Sequence, residues 1–157
     1  MDPLPLVEED TILFPAGAVT IGVEFRQVDV ETLKAGFGEE LVAAQNPTID
    51  DAGVSLHVLG SHDKREYLRF DCFDNDAHYH YIDWGVRQTI VAFDRAACGD
   101  MLTWALDVIG HRLESMLTFA GAGELAKAVD MELVRKTLTD VTPIAREAQR
   151  SQRANLP

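Results

Sequence analysis

The chain has 157 residues, 26 of them acidic and 14 basic, for a formal net charge of -12, with 46% hydrophobic and 25% charged residues. That length predicts one domain, and the apolar fraction excludes wholesale disorder. The acid excess argues against nucleic-acid binding, where basic residues must displace counterions from phosphates, and against docking on anionic membranes.

Pro3, Pro5 and Pro15 keep residues 1–16 extended. The segment is expected to be a surface arm, or a short strand over Thr11–Phe14. The opening lacks the basic and apolar regions of a secretion signal. Cys72 and Cys98 form neither a C-x-x-C motif nor a disulfide framework, so a reduced cytoplasmic compartment is expected. No apolar run approaches the roughly 20 residues of a membrane helix.

From Ala18 the pattern alternates. Val19, Ile21, Val23 and Phe25 fall on one face and Thr20, Gly22, Glu24 and Arg26 on the other, which predicts a strand with one buried face. Asp29 is a candidate N-cap for a helix from Val30 to Ala44, with Leu33, Phe37 and Leu41 as its apolar stripe. Gln45–Gly53 reads as a loop. Strand-like runs follow at Val54–Leu59, Tyr67–Phe73, His78–Asp83 and Arg87–Phe93, and their short connections favour an antiparallel meander.

After Asp94 the period changes. Leu102, Leu106, Ile109, Leu113, Met116 and Ala120 form a helical seam that Gly121-Ala122-Gly123 stops. A second helix is expected over Glu124–Leu138, and a third from Thr142-Pro143, with Thr142 as its cap. Met101, Trp104, Val108 and Phe119 add apolar bulk beside the seam, which predicts cover on a second side by another subunit, in a homodimer, or by residues 124–145. The expected fold class is α+β: one domain over residues 1–157, with an arm at 1–16, a meander and one inserted helix at 17–93, and packed helices at 94–154.

The chemistry is concentrated in residues 57–83. A turn centred between Asn75 and Asp76 sets Phe73 opposite His78, Asp71 opposite His80 and Arg69 opposite Ile82. Aligning Val54, Leu56 and Val58 with Leu68, Phe70 and Cys72 sets His57 opposite Asp71. The result is a row, His57–Asp71–His80, with His78 and Arg69 beside it. Two imidazoles and a carboxylate can hold a divalent metal such as zinc, iron or manganese and leave positions for water or substrate, so His57, Asp71, His78 and His80 are the metal candidates. Arg69 would hold an anionic substrate. The same residues also read as a metal-free ligand pocket, or as a hydrogen-bonded network supporting the sheet.

Elsewhere, Gly36-Phe37-Gly38 lacks the Lys of a phosphate loop, Cys72 falls on the apolar face as an inert thiol, and His111 lies within the long helix. The stretch Tyr67-Leu68-Arg69-Phe70-Asp71-Cys72-Phe73-Asp74, continuing into His78-Tyr79-His80-Tyr81, resembles small uncharacterised bacterial proteins of about this length. That resemblance implies no activity, cofactor or catalytic residue. Cupins also use an H-x-H strand, but their Glu and Gly-Pro-Gly features are absent and the helical final third departs from a barrel. Two functions are expected from this reading: a small-ligand-binding or accessory homodimeric protein, or a small metal-dependent enzyme activating water or a carbonyl.

Overall fold

A computed structural model of the chain describes residues 4–40, 42 and 50–154. Six strands form one antiparallel sheet in sequential order: β1 (Thr11–Ala16), β2 (Val19–Asp29), β3 (Asp50–Gly60), β4 (Glu66–Phe73), β5 (His78–Asp83) and β6 (Arg87–Ala92). Helix α1 (Val30–Phe37) follows β2; α2 (Arg95–Cys98), α3 (Met101–Phe119), α4 (Gly123–Ala128) and α5 (Met131–Ala154) follow the sheet. The fold is α+β, a meander with C-terminal helices against it. No described helix is long and apolar enough to cross a membrane.

One sheet face is apolar. Ile21, Val23, Val54, Leu56, Val58, Leu68 and Phe70 are buried there against the helices. Helix α3 covers β4 and β5 while α5 covers β1, β2 and β3. The seam from Leu102 to Ala120 is buried as its spacing predicts, and Gly121, with φ at 76°, ends the helix in the left-handed conformation that glycine adopts without strain. The second flank of α3 rests on α4 and α5 of the same chain. Of the apolar bulk beside the seam, Met101 is buried and Trp104 packs on Phe70, Tyr79 and Phe93, while Phe119 stays 56% exposed.

Three features differ from expectation. The helix break falls at Val129 and Asp130, and α5 runs unbroken through Pro143, so Thr142 is not an N-cap. Val134, Leu138, Val141 and Ala145 form one buried stripe across the proline. Pro143 and Thr139 are exposed, so water can satisfy the carbonyl the proline ring leaves unbonded. Continuous burial outweighs the local breaker.

The loop expected at Gln45–Gly53 is strand from Asp50 onward, because Asp50–Gly53 extend the ladder with Arg26–Asp29; residues 45–49 lie outside the described residues. Asp29 does cap α1, accepting the Thr32 N–H at 2.8 Å. The helix expected to run to Ala44 ends at Phe37, because Gly38 turns to a positive φ of 89°; Leu41, Ala43 and Ala44 lie outside the described residues.

The third difference matters most for function. Strand β2 is buried on both faces, with Thr20, Glu24 and Arg26 enclosed and Phe25 40% exposed. The polar face is roofed by α1 and the N-terminal segment, which meet where a side chain on Gly36 would strike Leu4.

A substitution pair tests the close approach of β3 and β4. A Cβ at Gly53 would lie inside contact distance of the Cys72 carbonyl, whereas one at Gly123 meets nothing. Gly53→Ala is expected to lower unfolding stability by about 1–3 kcal/mol, and Gly123→Ala to change it by less than about 0.5 kcal/mol, in urea titrations.

Candidate functional site

The polar face carries Glu24 and Arg26 from β2, Ser55 and His57 from β3, Arg69 and Asp71 from β4, and His78 and His80 from β5. His57, Asp71 and His80 share this face as the alternation predicts, but the pairing is displaced. Asp71 stands opposite Ser55 and His78, and Arg69 opposite His57 and His80. Both ladders are shifted by two residues from the expected register, which leaves every side chain on its expected face.

The β3–β4 ladder is the one that matches Val58, Leu56 and Val54 one-to-one with Leu68, Phe70 and Cys72, and the β4–β5 shift has a local cause. Between β3 and β4 the register breaks at Val58/Leu59, so Leu68 pairs with Val58 while Glu66 pairs with Leu59 and Tyr67 is the extra residue of a bulge. Between β4 and β5 the turn is held by Asp51, whose carboxylate accepts the N–H groups of Asn75 and Asp76 at 3.1 and 2.6 Å. That draws the turn towards β3, and the ladder starts at His78 with Asp71 instead of Phe73.

The bulge brings Glu66 onto the polar face, where it creates a network the sequence reading missed. His57 is fully buried between two carboxylates: Nε2 lies 2.8 Å from Glu24 Oε2, and Nδ1 bonds Glu66 Oε1. Arg69 donates to both oxygens of Glu66, from Nε at 2.9 Å and Nη2 at 2.5 Å, and from Nη2 to the Leu4 carbonyl. Of the metal candidates, His57 therefore lies outside the cluster, held as a structural imidazole by acids on either side. Arg69 lines the pocket described below, with Nε and Nη2 serving Glu66 and Leu4.

The other three candidates converge. Nε2 of His80 lies 3.0 Å and Nε2 of His78 3.3 Å from the same oxygen, Oδ2, of Asp71. Ser55 donates its hydroxyl to the other oxygen, Oδ1. His78 Nδ1 lies 2.7 Å from the Asp76 main-chain carbonyl, which can only accept, so Nδ1 carries a proton. His80 Nδ1 lies 2.9 Å from Gln88 Oε1 and is oriented in the same way. With both Nδ1 atoms donating, neutral rings present two Nε2 lone pairs to a carboxylate oxygen. That arrangement requires a cation: protons on Nε2, or a metal ion among the three atoms.

Electrostatics agrees with the geometry. Burial alone would raise the Asp71 carboxyl, but hydrogen bonds from His78 and His80 and the charge of Arg69 hold it well below the usual carboxylate range. Burial disfavours the charged His78 ring, yet its bond to Asp71 raises it above an ordinary histidine. The thiol of Cys72, enclosed on the apolar face, is pushed well up by burial, as an inert cysteine should be. His111 is exposed on α3 and bonds its own helix at the Asp107 carbonyl.

Above the cluster lies a cavity of about 300 Å³ lined by His78, His80, Asp71, Arg26 and Arg69, with Leu33 and Phe37 of α1 and Leu4 among its apolar walls. Three protein ligands and an adjoining cavity leave room for further ligands on a bound ion.

A family model described as "Domain of unknown function (DUF7700)" matches residues 13–145, and the chain belongs to that family. No curated protein and no solved structure matches the chain. The matched span includes the whole polar face of β2–β5.

The network around His57 predicts a two-sided pH profile. Burial would raise the Glu66 carboxyl, but His57 and Arg69 lower it from 4.5 to about 2, so its stabilisation is complete above about pH 4.5 and fades as pH falls towards 2. For His57 burial works against the charged ring, yet Glu24 and Glu66 raise it above 6.5; its stabilisation is complete below that value and fades as pH rises through the raised one. Urea stability is therefore expected to peak between about pH 4.5 and 6.5. Glu66→Gln should remove on the order of 3 kcal/mol of the acid-side dependence. An unchanged acid limb in that variant would show that the pair does not set it.

Proposed function

We propose that the protein binds a small molecule in the pocket of the polar face, at a divalent metal ion held by Asp71, His78 and His80. The observation that carries this reading is the convergence of two imidazole Nε2 atoms on one carboxylate oxygen while both Nδ1 atoms face carbonyl oxygens. Ligands about 2.1 Å from a common ion lie about 3.0 Å apart at right angles and about 3.4 Å apart in a tetrahedron. The distances of 3.0 and 3.3 Å fall in that interval before any rearrangement. The carbonyl partners of Nδ1 are the supports that metal-bound histidines ordinarily have.

Zinc, iron(II) and manganese(II) suit such a donor set, and a bound ion would supply a polarising centre for a water or carbonyl group. The second reading, a purely structural network, is favoured by the acid-bound state of neighbouring His57. In it, a protonated His78 ring pairs with the Asp71 carboxylate, and His80 shares the same oxygen.

Metal analysis separates the two. Protein stripped with chelator, offered zinc, iron(II) and manganese(II) in turn and desalted, is expected to retain about one equivalent of at least one metal. His80→Ala and Asp71→Asn should abolish retention, and His57→Gln should not. Retention below about a tenth of an equivalent of every metal overturns the proposal. In that case His80→Ala is expected to cost about 1–3 kcal/mol of stability through the unpaired Asp71, with no metal to lose.

A further inference from the structure

The pocket holds one group that neither the metal centre nor the His57 network uses. Arg26 lines the cavity and is 7% exposed, and its Nη1 is the one buried side-chain nitrogen or oxygen among the described residues without a hydrogen-bond partner. Its nearest acid, Glu24, lies 3.8 Å from Nε, beyond hydrogen-bond distance. The Glu24 oxygens face His57 Nε2 and the Val7 N–H instead. A buried guanidinium donor left unmet is costly and calls for an acceptor that the described side chains do not supply.

The acids lining the pocket cannot be that acceptor as they stand. Asp51 receives the N–H groups of Ala52, Asn75 and Asp76, and Asp71 is shared among Ser55, His78 and His80. Charge balance points the same way. The buried carboxylates Glu24, Asp51, Glu66 and Asp71 face Arg26, Arg69 and the acid-clasped His57. A divalent ion at the histidines would leave the enclosed face with positive charge in excess, which a bound anion would neutralise.

The remaining walls are apolar: Leu4, Val28, Leu33, Phe37, Phe73 and Ile90. At about 30 Å³ per water-sized group, a cavity of about 300 Å³ accommodates roughly ten non-hydrogen atoms.

We propose that the ligand of this pocket is a small organic carboxylate, its head accepting from Arg26 and its apolar body lying beneath α1 and Leu4. The proposal rests on the pocket reading above and names the class of molecule it takes. Arg26 rather than Arg69 is assigned the anion, because its Nη1 has no partner among the described residues whereas Arg69 already gives Nε and Nη2 to Glu66 and the Leu4 carbonyl.

The test uses the full chain and hexanoate as probe, with phenylacetate, acetate, hexan-1-ol and hexylamine for comparison. Binding is followed by calorimetry and by the Arg26 side-chain N–H signals in NMR, on metal-loaded and chelator-treated protein. Hexanoate or phenylacetate is expected to bind at least about tenfold more tightly than hexan-1-ol, hexylamine or acetate and to shift the Arg26 signals. Arg26→Met should lose that preference for the acid over the alcohol, and Arg26→Lys should retain part of it.

Wild-type protein that does not discriminate hexanoate from hexan-1-ol overturns the proposal, whether or not the variants fold. So does acid binding that survives in Arg26→Met and disappears in Asp71→Asn, which would make the metal alone the anion site. If no metal is retained but hexanoate still binds through Arg26, the metal reading fails and the carboxylate site stands. If metal is retained and the acids are not preferred, the reverse holds.

Discussion

The structure is organised around the need to pair every charge enclosed between the sheet and its second roof. Glu24, Arg26, His57, Glu66, Arg69, Asp71 and His80 are all less than a tenth exposed. An unpaired buried charge costs several kcal/mol, so each of these side chains constrains the position of its neighbours. The apolar face brings the strands together, but it is compatible with any slip by an even number of residues. The polar face removes that degeneracy. Sliding β4 along β3 by two residues would keep Leu68 and Phe70 in the core while separating Ser55 from Asp71 and opening the Glu66 clasp on His57.

That division explains what the sequence discloses. Alternation identified the strands, the α+β class and the common face of His57, Asp71, His78 and His80, because the side-chain period of two is imposed by the backbone itself. The seam on α3 was equally legible. Register was not, because hydrophobic alternation repeats with the same period as the error. Between β4 and β5 a feature outside the pattern decided it, the carboxylate of Asp51, and between β3 and β4 the apolar positions accept the observed ladder as readily as one displaced by two. Glu66 was hidden as well, since it reads as the end of a turn until the bulge points it inward.

Glu24 and Arg26 were visible as an alternating polar face but read as a solvent face. A signal of their burial did exist. Their neighbour β3 carries no charged residue between Asp51 and the strand end other than His57, which is unusual for a strand with one face in water. Two-sided burial of β3 required a roof, and the chain supplies it from segments with little packing of their own: α1 and the residues around Leu4. The N-terminal segment is tied down by polar contacts, the Leu4 carbonyl on Arg69 and the Val7 N–H on Glu24. The roof of the pocket therefore depends on the same charged array as its floor.

Such an array is a poor means of gaining stability. Replacing buried ion pairs by apolar residues of similar volume is often neutral or stabilising, because desolvation offsets most of the Coulombic attraction. The two halves of the polar face also differ in kind. Around His57 every partner is present: two carboxylates clasp the ring, and Arg69 completes Glu66. Around His78 and His80 the Nε2 atoms meet a single shared oxygen, and Arg26 Nη1 has no hydrogen-bond partner among the described residues. A network selected for register alone would be closed throughout, as the first half is. The open half lies where the cavity is, so the satisfied network frames an edge whose polar atoms are left facing one another or unpaired.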